Sequence, residues 1–426
     1  MKRMNLRLDF ETCDDKKGDE CVKRHLEEIC QEILNSLDSG TVKSIILTGG
    51  ITRKEGSAIR YGERVEIFSD YDLLVLVNKV TRKIRKQLRD VSTKLTKGFS
   101  REGLPSHVDI APISIQTLSN MKALMFTLEL KEYGRSLYGE DHREYMPDLK
   151  AEDIQQEDSL RMLHNRIVGV LEYFDPAIFL WKEKKDESLA KFLIYHIAKN
   201  FIDLGSSLLS FEKMYVCSYR KRVGVLKESF GKFNISEKYL HLPEIVEKWT
   251  EFKFNPDIEG LLQERGYGNP DYEDMIELGK ELWFEHVGYL EALWKYEVQK
   301  RYNTEATDIS KLIDIYFESN NTLREQLAGC YRYVVRKPAD FPLHSLVCGC
   351  LKSIKGSALV PSVYSLSNLI FFYAPIILKQ NIFPQESSFT KYMTKLPIHP
   401  SLKRDNIQVW DSARINAVHL WHMFVS

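Results

Sequence analysis

Residues 69–77, SDYDLLVLV, place two carboxylates at the start of an apolar run. Side chains alternate across a β-strand, so Asp70 and Asp72 are expected on the same face. Burying two carboxylates at the head of an apolar strand is costly unless cations neutralise them. The stretch therefore predicts a strand whose first residues form a cation site.

Two neighbouring segments predict further strands of the same small sheet. Residues 43–48 (KSIILT) form a β-branched run that ends at Gly49-Gly50, and residues 107–113 (HVDIAPI) form a shorter run that contains Asp109. An amphipathic helix is predicted over residues 19–38 from apolar residues at helical spacing. These elements together predict a mixed sheet covered by helices.

Three carboxylates converge if the strand of Asp109 lies beside that of Asp70 and Asp72. Hard oxygen ligands favour Mg²⁺ or Mn²⁺ over zinc. Such ions activate an attacking oxygen and hold a triphosphate for in-line displacement. Gly49 and Gly50 would let backbone N–H groups approach phosphates.

The order of glycine pair, D-x-D and later lone Asp resembles the nucleotidyltransferase superfamily, which includes polymerase beta and the antibiotic nucleotidyltransferases. The likeness covers residues 20–140, and the helical remainder resembles the antibiotic enzymes more weakly. It implies an α+β fold and transfer of an NMP from an NTP, with ATP expected, to an acceptor hydroxyl or phosphate with release of pyrophosphate. The implied metal-binding and catalytic residues are Asp70, Asp72 and Asp109, and Gly49 and Gly50 would face the phosphates.

The spacing between the two motifs departs from the family. Nineteen residues separate Gly50 from Asp70, which is longer than usual. Either residues 53–68 are an inserted β-hairpin turning at Tyr61-Gly62, or Gly56-Ser57 is the working glycine-serine pair. We favour the hairpin because only Gly49-Gly50 directly follows an apolar strand. In that case Arg53, Lys54 and Ser57 would lie near the phosphates.

The chain is long enough for two or three domains. Nine basic residues against two acids at 79–103 predict a helix with a basic face, and eight acids against two bases at 139–158 predict a domain boundary. Beyond residue 155, helical patterns dominate, at 158–174, 187–211, 219–230, 272–302 and 306–335. We therefore predict a nucleotidyltransferase-like domain at 1–150, a helical bundle at 151–305 and a helical C-terminal domain or extension at 306–426, for which the sequence offers no chemical role.

Composition excludes several protein classes. With 43% hydrophobic and 28% charged residues the chain is globular, and its zero formal charge excludes a uniformly basic nucleic-acid coat. The seven cysteines have no C-x-x-C spacing, which favours reduced thiols in a cytoplasmic protein. The start of the chain turns acidic before a signal-peptide core can form. The longest apolar run, 369–378, is half a membrane span and predicts a buried helix.

Several single residues allow more than one interpretation. Lys199 and Asp203 are spaced for a salt bridge on a helix surface. His107 is expected to be a packing residue more often than a ligand. Three residues, Tyr215, Tyr219 and Arg222, could line an acceptor pocket or cap a helix.

Three functions remain open from the sequence. The leading hypothesis is the metal-dependent nucleotidyltransferase just described, with the helical region supplying the acceptor site. The second keeps the fold without the chemistry, as a nucleotide-sensing or partner-binding, antitoxin-like module. The third makes an RNA end the acceptor, with the basic residues at 79–103 following its backbone. The acceptor, whether small molecule, protein or RNA, and the oligomeric state are not determined by the sequence.

Overall fold

The computed structural model describes residues 6–61, 64–101, 107–173, 187–235, 239–268 and 271–320, together with residues 368, 371, 372, 411, 414, 415, 417 and 418. Cys330, Cys348, Cys350 and most of the apolar run at 369–378 lie outside these residues. The same holds for the last part of the helix predicted at 306–335.

Strands and helices are numbered in chain order. The strands are β1 (Val42–Thr48), β2 (Ala58–Tyr61), β3 (Arg64–Ile67), β4 (Tyr71–Val77), β5 (Val108–Ser114) and β6 (Arg135–Gly139). The helices are α1 (Lys16–Ser36), α2 (Arg82–Arg101), α3 (Ile115–Ser119), α4 (Met125–Tyr133), α5 (Gln156–Tyr173), α6 (Glu187–Phe211), α7 (Tyr219–Ser229), α8 (Leu242–Phe254), α9 (Ile258–Glu264), α10 (Tyr272–Tyr302) and α11 (Ile309–Asn320). The predicted α+β class is confirmed.

A four-stranded mixed sheet carries the region of interest. Its strand order is β5-β4-β1-β6, with β4 antiparallel to β1, β1 antiparallel to β6 and β4 parallel to β5. Strand β6 was not predicted from the sequence. Strands β2 and β3 form a separate antiparallel hairpin, as the long spacing before Asp70 had suggested.

Alternation along β4 gives each face of the sheet its own core. Tyr71, Leu73 and Val75 pack with α1 and α2, whereas Leu74 and Leu76 pack with residues of α3 and α4 on the other face. At the start of the strand, the Tyr71 hydroxyl lies 2.7 Å from His25 Nδ1 of α1. This buried contact fixes the strand where the two carboxylates flank Tyr71.

The chain divides into two compact units. The first comprises Met1–Asp158, Glu187–Phe233 and His241–Pro270, and the second comprises Ser159–Asp186, Asn234–Leu240 and Asp271–Ser426. The predicted layout of 1–150, 151–305 and 306–426 groups the helices differently. Helices α6 to α9 belong to the same unit as the sheet, and polar side chains of α6, α7 and α8 bond to residues of the sheet and its connections, as described below.

The second unit is helical in the residues described. Its core holds large aromatic side chains, among them Trp283 and Trp294 of α10 and Tyr316 of α11. Trp294 Nε1 donates to His164 Nε2 of α5 at 3.2 Å, and Ser159 Oγ donates to Glu297 Oε2 at 2.9 Å. Among the described residues, no helix is long and apolar enough to span a membrane.

Candidate functional site

Asp72 occupies the centre of the predicted carboxylate group. In the sheet register it lies opposite Thr48 of β1 on one side and opposite Asp109 of β5 on the other. Residues directly opposite in neighbouring strands have their Cβ atoms close together. The parallel pairing of β4 with β5 therefore brings Asp109 beside Asp72 across 37 residues of sequence.

A pocket of about 260 Å³ opens at this end of the sheet. It combines carboxylates, two lysines, aromatic rings and the glycine pair. Its lining residues are Thr48, Gly49, Gly50, Ser69, Asp70, Asp72, Phe126, Glu129, Tyr195, Lys199, Tyr219 and Lys253. Four of the eight predicted site residues, Gly49, Gly50, Asp70 and Asp72, thus meet in one cavity.

Gly49 makes the close approach of β1 to Asp72 possible. Its φ of 81° lies in the region that disfavours side chains, and a Cβ atom there would lie 2.8 Å from Asp72 Oδ2. A 3₁₀ turn over Gly50–Arg53 follows directly and is tied back by a hydrogen bond from the Thr52 hydroxyl to the Gly49 carbonyl. The glycine pair therefore borders the carboxylates, as its position after β1 predicted.

Lys199 of α6 is the direct counter-ion of Asp70. Its Nζ donates to Asp70 Oδ2 at 2.8 Å. Burial raises the pKa of Asp70, but the charge and hydrogen bond of Lys199, together with the charges of His107 and His196, hold that pKa below the ordinary value. The interpretation of Lys199 and Asp203 as a helix-surface pair was therefore wrong. Asp203 is buried, and Lys199 turns toward a carboxylate that the folded chain brings to it.

Asp72 has the opposite electrostatic environment. Burial and the nearby carboxylates of Asp70 and Asp109 raise its pKa to about 7. Asp109 is exposed, and its Oδ1 lies 3.3 Å from Nε2 of the half-exposed His107. The hydrogen bond to Asp109 raises the pKa of His107. His107 is thus not a packing residue, because at the start of β5 it faces solvent beside a carboxylate.

The other three predicted phosphate-side residues lie outside the pocket lining. Lys54 is partly exposed and pairs with Glu11 at 2.8 Å and with Asp14 at 3.6 Å. The side chain of Arg53, at the end of the 3₁₀ turn, is buried and forms ion pairs with Glu55 and Glu129. The alternative pair, Gly56-Ser57, does not line the pocket either. The Gly56 N–H donates to the Thr12 carbonyl, and a Cβ atom at Gly56 would lie 2.6 Å from that oxygen.

Ser57 connects the hairpin to two helices of the first unit. Its backbone N–H donates to Ser69 Oγ at 2.7 Å, and its own Oγ accepts from the Tyr195 hydroxyl at 2.7 Å. Lys253 Nζ of α8 lies 3.3 Å from the same Oγ and donates to the Glu55 carbonyl at 2.5 Å. Burial and the charge of Lys199 lower the pKa of Lys253 to about 7.

A buried ion cluster supports the opposite wall. Glu129 of α4 lines the pocket and accepts from Arg53 at 3.1 Å, from Arg222 and from the Tyr215 hydroxyl at 2.5 Å. Burial would raise the pKa of Glu129, but the two guanidinium groups hold it below its ordinary value. Of the three residues with an open interpretation, Tyr219 lines the pocket, whereas Tyr215 and Arg222 hold Glu129 in place.

Metal ligation at this site has chemical support from the donor set. Among the described residues, no group of three or more His, Cys, Asp or Glu side chains is already arranged around a common ion position. The carboxylates of Asp70 and Asp72 nevertheless line one cavity, and the pKa of Asp72 is raised by burial and by neighbouring carboxylate charges, both of which a bound cation would offset. Oxygen donors of this kind suit Mg²⁺ or Mn²⁺.

Comparison of the sequence with protein-family models and with curated proteins finds no match.

Sequence reasoning found the strand residues of the pocket and missed most of its helical wall. Glu129, Tyr195 and Lys253 were not predicted, and Lys199 was assigned a different partner. Each lies on a helix more than 50 residues from the D-x-D motif. These residues could have been found as polar residues on helix faces that are otherwise apolar. Charged groups on a buried face need partners, which indicates a polar site.

Proposed function

We propose that the protein is a metal-dependent nucleotidyltransferase that moves an NMP from an NTP, with ATP as the expected donor, to an acceptor hydroxyl or phosphate. The observation that carries the proposal is the position of Asp72 between Gly49 at the end of β1 and Asp109 on β5, with Asp70 in the same pocket. This combination matches the order of motifs on which the resemblance to the nucleotidyltransferase superfamily rests. The two lysines of the pocket add positive charge for a polyphosphate.

The metal would be held by Asp70 and Asp72, with Asp109 beside them. When bound, Mg²⁺ or Mn²⁺ would supply charge neutralisation at the transferring phosphoryl group. The backbone at Gly49 and Gly50 would then border the triphosphate, since neither residue carries a side chain that would keep it away. The electrostatic conflict at Asp72 supports this assignment, because it disappears when a cation is present.

The lysines would bind the phosphates of the donor. Lys199 Nζ donates to Asp70 at 2.8 Å. If Asp70 bound a metal ion instead, the Lys199 ammonium group would be free to bind a phosphate oxygen. Lys253, with its pKa near 7, would gain a full charge once a polyanion lies in the pocket. Both side chains would also stabilise the negative charge that develops on the leaving pyrophosphate.

The reaction is a displacement at the α-phosphorus. The acceptor oxygen forms a bond to that phosphorus, the bond to the bridging oxygen of the β-phosphate breaks, and pyrophosphate leaves. Asp109 is exposed and adjacent to Asp72, so it is the carboxylate open to an incoming acceptor and the expected recipient of the acceptor proton. His107, which contacts Asp109, would help to orient it.

Transfer of label tests the proposal. Purified protein is incubated with Mg²⁺, a cell extract and each NTP labelled at the α-phosphate, and a parallel reaction with γ-labelled NTP measures release of pyrophosphate. We expect α-label in a product, and loss of both signals in Asp72→Ala and Asp109→Ala but not in the control Asp9→Asn, which alters an exposed carboxylate. Label transfer that persists in both alanine variants would overturn the mechanism. NTP binding without pyrophosphate release would favour a nucleotide-sensing module.

A further inference from the structure

Helix α2 presents two kinds of exposed cation, those paired with acids and those without an acidic partner among the described residues. On the side toward α1, lysines are neutralised by acids, with Lys83 bound to Asp38 at 3.4 Å and Lys94 bound to Glu32 at 2.7 Å. Lys86 is paired within the helix with Asp90 at 2.9 Å. These three lysines therefore contribute little net positive potential.

Four further cations of α2 have no acidic partner among the described residues, and the paired Lys86 lies between them around the helix. The four are Arg82, Arg85, Arg89 and Lys97, and all of them are exposed. At 3.6 residues per turn they fall within an arc of roughly 120° and extend about 22 Å along the helix axis. We call this row of four residues the cation stripe.

The apolar face of α2 is committed to the protein core. Leu88, Val91, Leu95 and Phe99 are all buried in the cluster beneath α1 and the sheet. A helix that binds a membrane surface needs an unpartnered apolar face to enter the lipid, and α2 has none in the described residues. The stripe instead offers three guanidinium groups, whose planar fork matches phosphate oxygens.

We propose that the cation stripe of α2 binds the phosphate backbone of single-stranded RNA. Because the apolar face of α2 is buried in the core, its exposed side is available to follow a single strand along the length of the helix. It would contact phosphates and read no bases. RNA is the partner because long single strands in a cell are RNA, whereas DNA is kept double-stranded.

The stripe leads toward the carboxylates. Near the C-terminal end of α2, Ser92 Oγ donates to the Val108 carbonyl at 2.6 Å and Thr96 Oγ1 accepts from the Val108 N–H at 3.1 Å. Val108 directly precedes Asp109, so an RNA strand on the stripe would run along the helix toward the start of β5, where Asp109 lies beside Asp72. RNA binding itself does not depend on the proposed nucleotidyl transfer.

Salt-dependent binding of a labelled RNA tests the proposal without any NTP. Fluorescence anisotropy of an oligouridine of about 20 nucleotides, titrated with the full-length protein between about 50 and 200 mM KCl, should give a slope of log affinity against log salt of about −3 for four contacts. Replacing three stripe residues, Arg82→Gln, Arg85→Gln and Arg89→Gln, should reduce the slope to about −1 and weaken binding at least about tenfold at the lower salt.

The matched control removes the same net charge from the paired lysines. The triple variant Lys83→Gln, Lys86→Gln and Lys94→Gln should keep a slope close to that of the unmodified protein. All six positions are exposed, so circular dichroism and melting temperature should be unchanged in both variants. Equal loss in the two variants, a stripe variant that binds like the unmodified protein, or binding to phosphatidylserine vesicles in place of RNA would each overturn the proposal. Because no NTP is present in the binding assay, its outcomes are independent of the label-transfer assay.

Discussion

Lys199 on α6 and Asp70 at the start of β4 form an ion pair of 2.8 Å across 129 residues of sequence. The pair ties the helical part of the first unit to the strand that carries the D-x-D motif. It also keeps one carboxylate of that motif ionised while its neighbour, Asp72, has its pKa raised to about 7. Two carboxylates two residues apart thus have different protonation behaviour.

Removal of the lysine charge should impair both the site and the acid stability of the protein. Lys199→Met should reduce NTP binding and label transfer by about 100-fold, the usual scale for the loss of a phosphate-binding charge. Because the pKa of Asp70 is lowered by Lys199, the pair stabilises the fold at pH values above the ordinary pKa of an aspartate and loses this effect as the pH falls. The variant should therefore lose stability near neutral pH and lose less on acidification, measured by urea denaturation. Lys221→Met, at an exposed position of α7, is the control.

Asp72→Asn should be more stable than the unmodified protein at alkaline pH without metal. The pKa of Asp72 is raised, so the favourable protonated form is fully present at low pH and is lost as the pH rises through about 7. At pH 8 the amide should gain on the order of 1–3 kcal/mol in the free energy of unfolding, while activity is abolished.

Added Mg²⁺ provides the counter-test for Asp72. It should raise the melting temperature of the unmodified protein at pH 8 and leave that of Asp72→Asn nearly unchanged, because the site then lacks one ligand charge. An equal response of both proteins to Mg²⁺ would place the ion elsewhere.

Gly49→Ala should displace Asp72, and the chain offers a close control for backbone strain. Gly49 and Gly40 have φ values of 81° and 80°, but a Cβ atom at Gly40 meets nothing within 4 Å. Gly40→Ala should lose about 1 kcal/mol from its positive φ, and Gly49→Ala about 1–3 kcal/mol, since its ψ of −167° lies in a region that essentially only glycine adopts. Only Gly49→Ala should also reduce NTP binding and label transfer, since its Cβ would lie 2.8 Å from Asp72 Oδ2. Equal activity of the two variants would contradict the close approach.

Glu129→Gln should strongly destabilise the first unit. The carboxylate balances Arg53 and Arg222, which are both buried, and its removal leaves two guanidinium groups without a full counter-charge. Breaking a buried pair in this way costs about 3–5 kcal/mol. Chemical denaturation should report the loss, with Glu28→Gln on the exposed face of α1 as a control that changes stability little. A small effect would mean that water reaches the cluster.

The strands and the basic helix could be predicted because their signals are local. Short apolar and β-branched runs predicted β1, β4 and β5, and the exposed cations of α2 follow from its charge pattern. The inserted hairpin was favoured over Gly56-Ser57 as the working pair because only Gly49-Gly50 directly follows an apolar strand, and strands β2 and β3 form that hairpin. Strand β6 was missed because residues 135–139, RSLYG, form a short run of mixed polarity without a clear strand pattern.

The sequence by itself determined the D-x-D strand, the glycine pair before it and the lone Asp109 after it, because each depends on neighbours within a few residues. Tertiary structure alone decided that Lys199 pairs with Asp70, that Lys253 lies behind Ser57 and that Glu129 balances two arginines. Charge pairing across more than 70 residues depends on which helix faces are buried together, and helical periodicity within one segment carries no information about the partner on another.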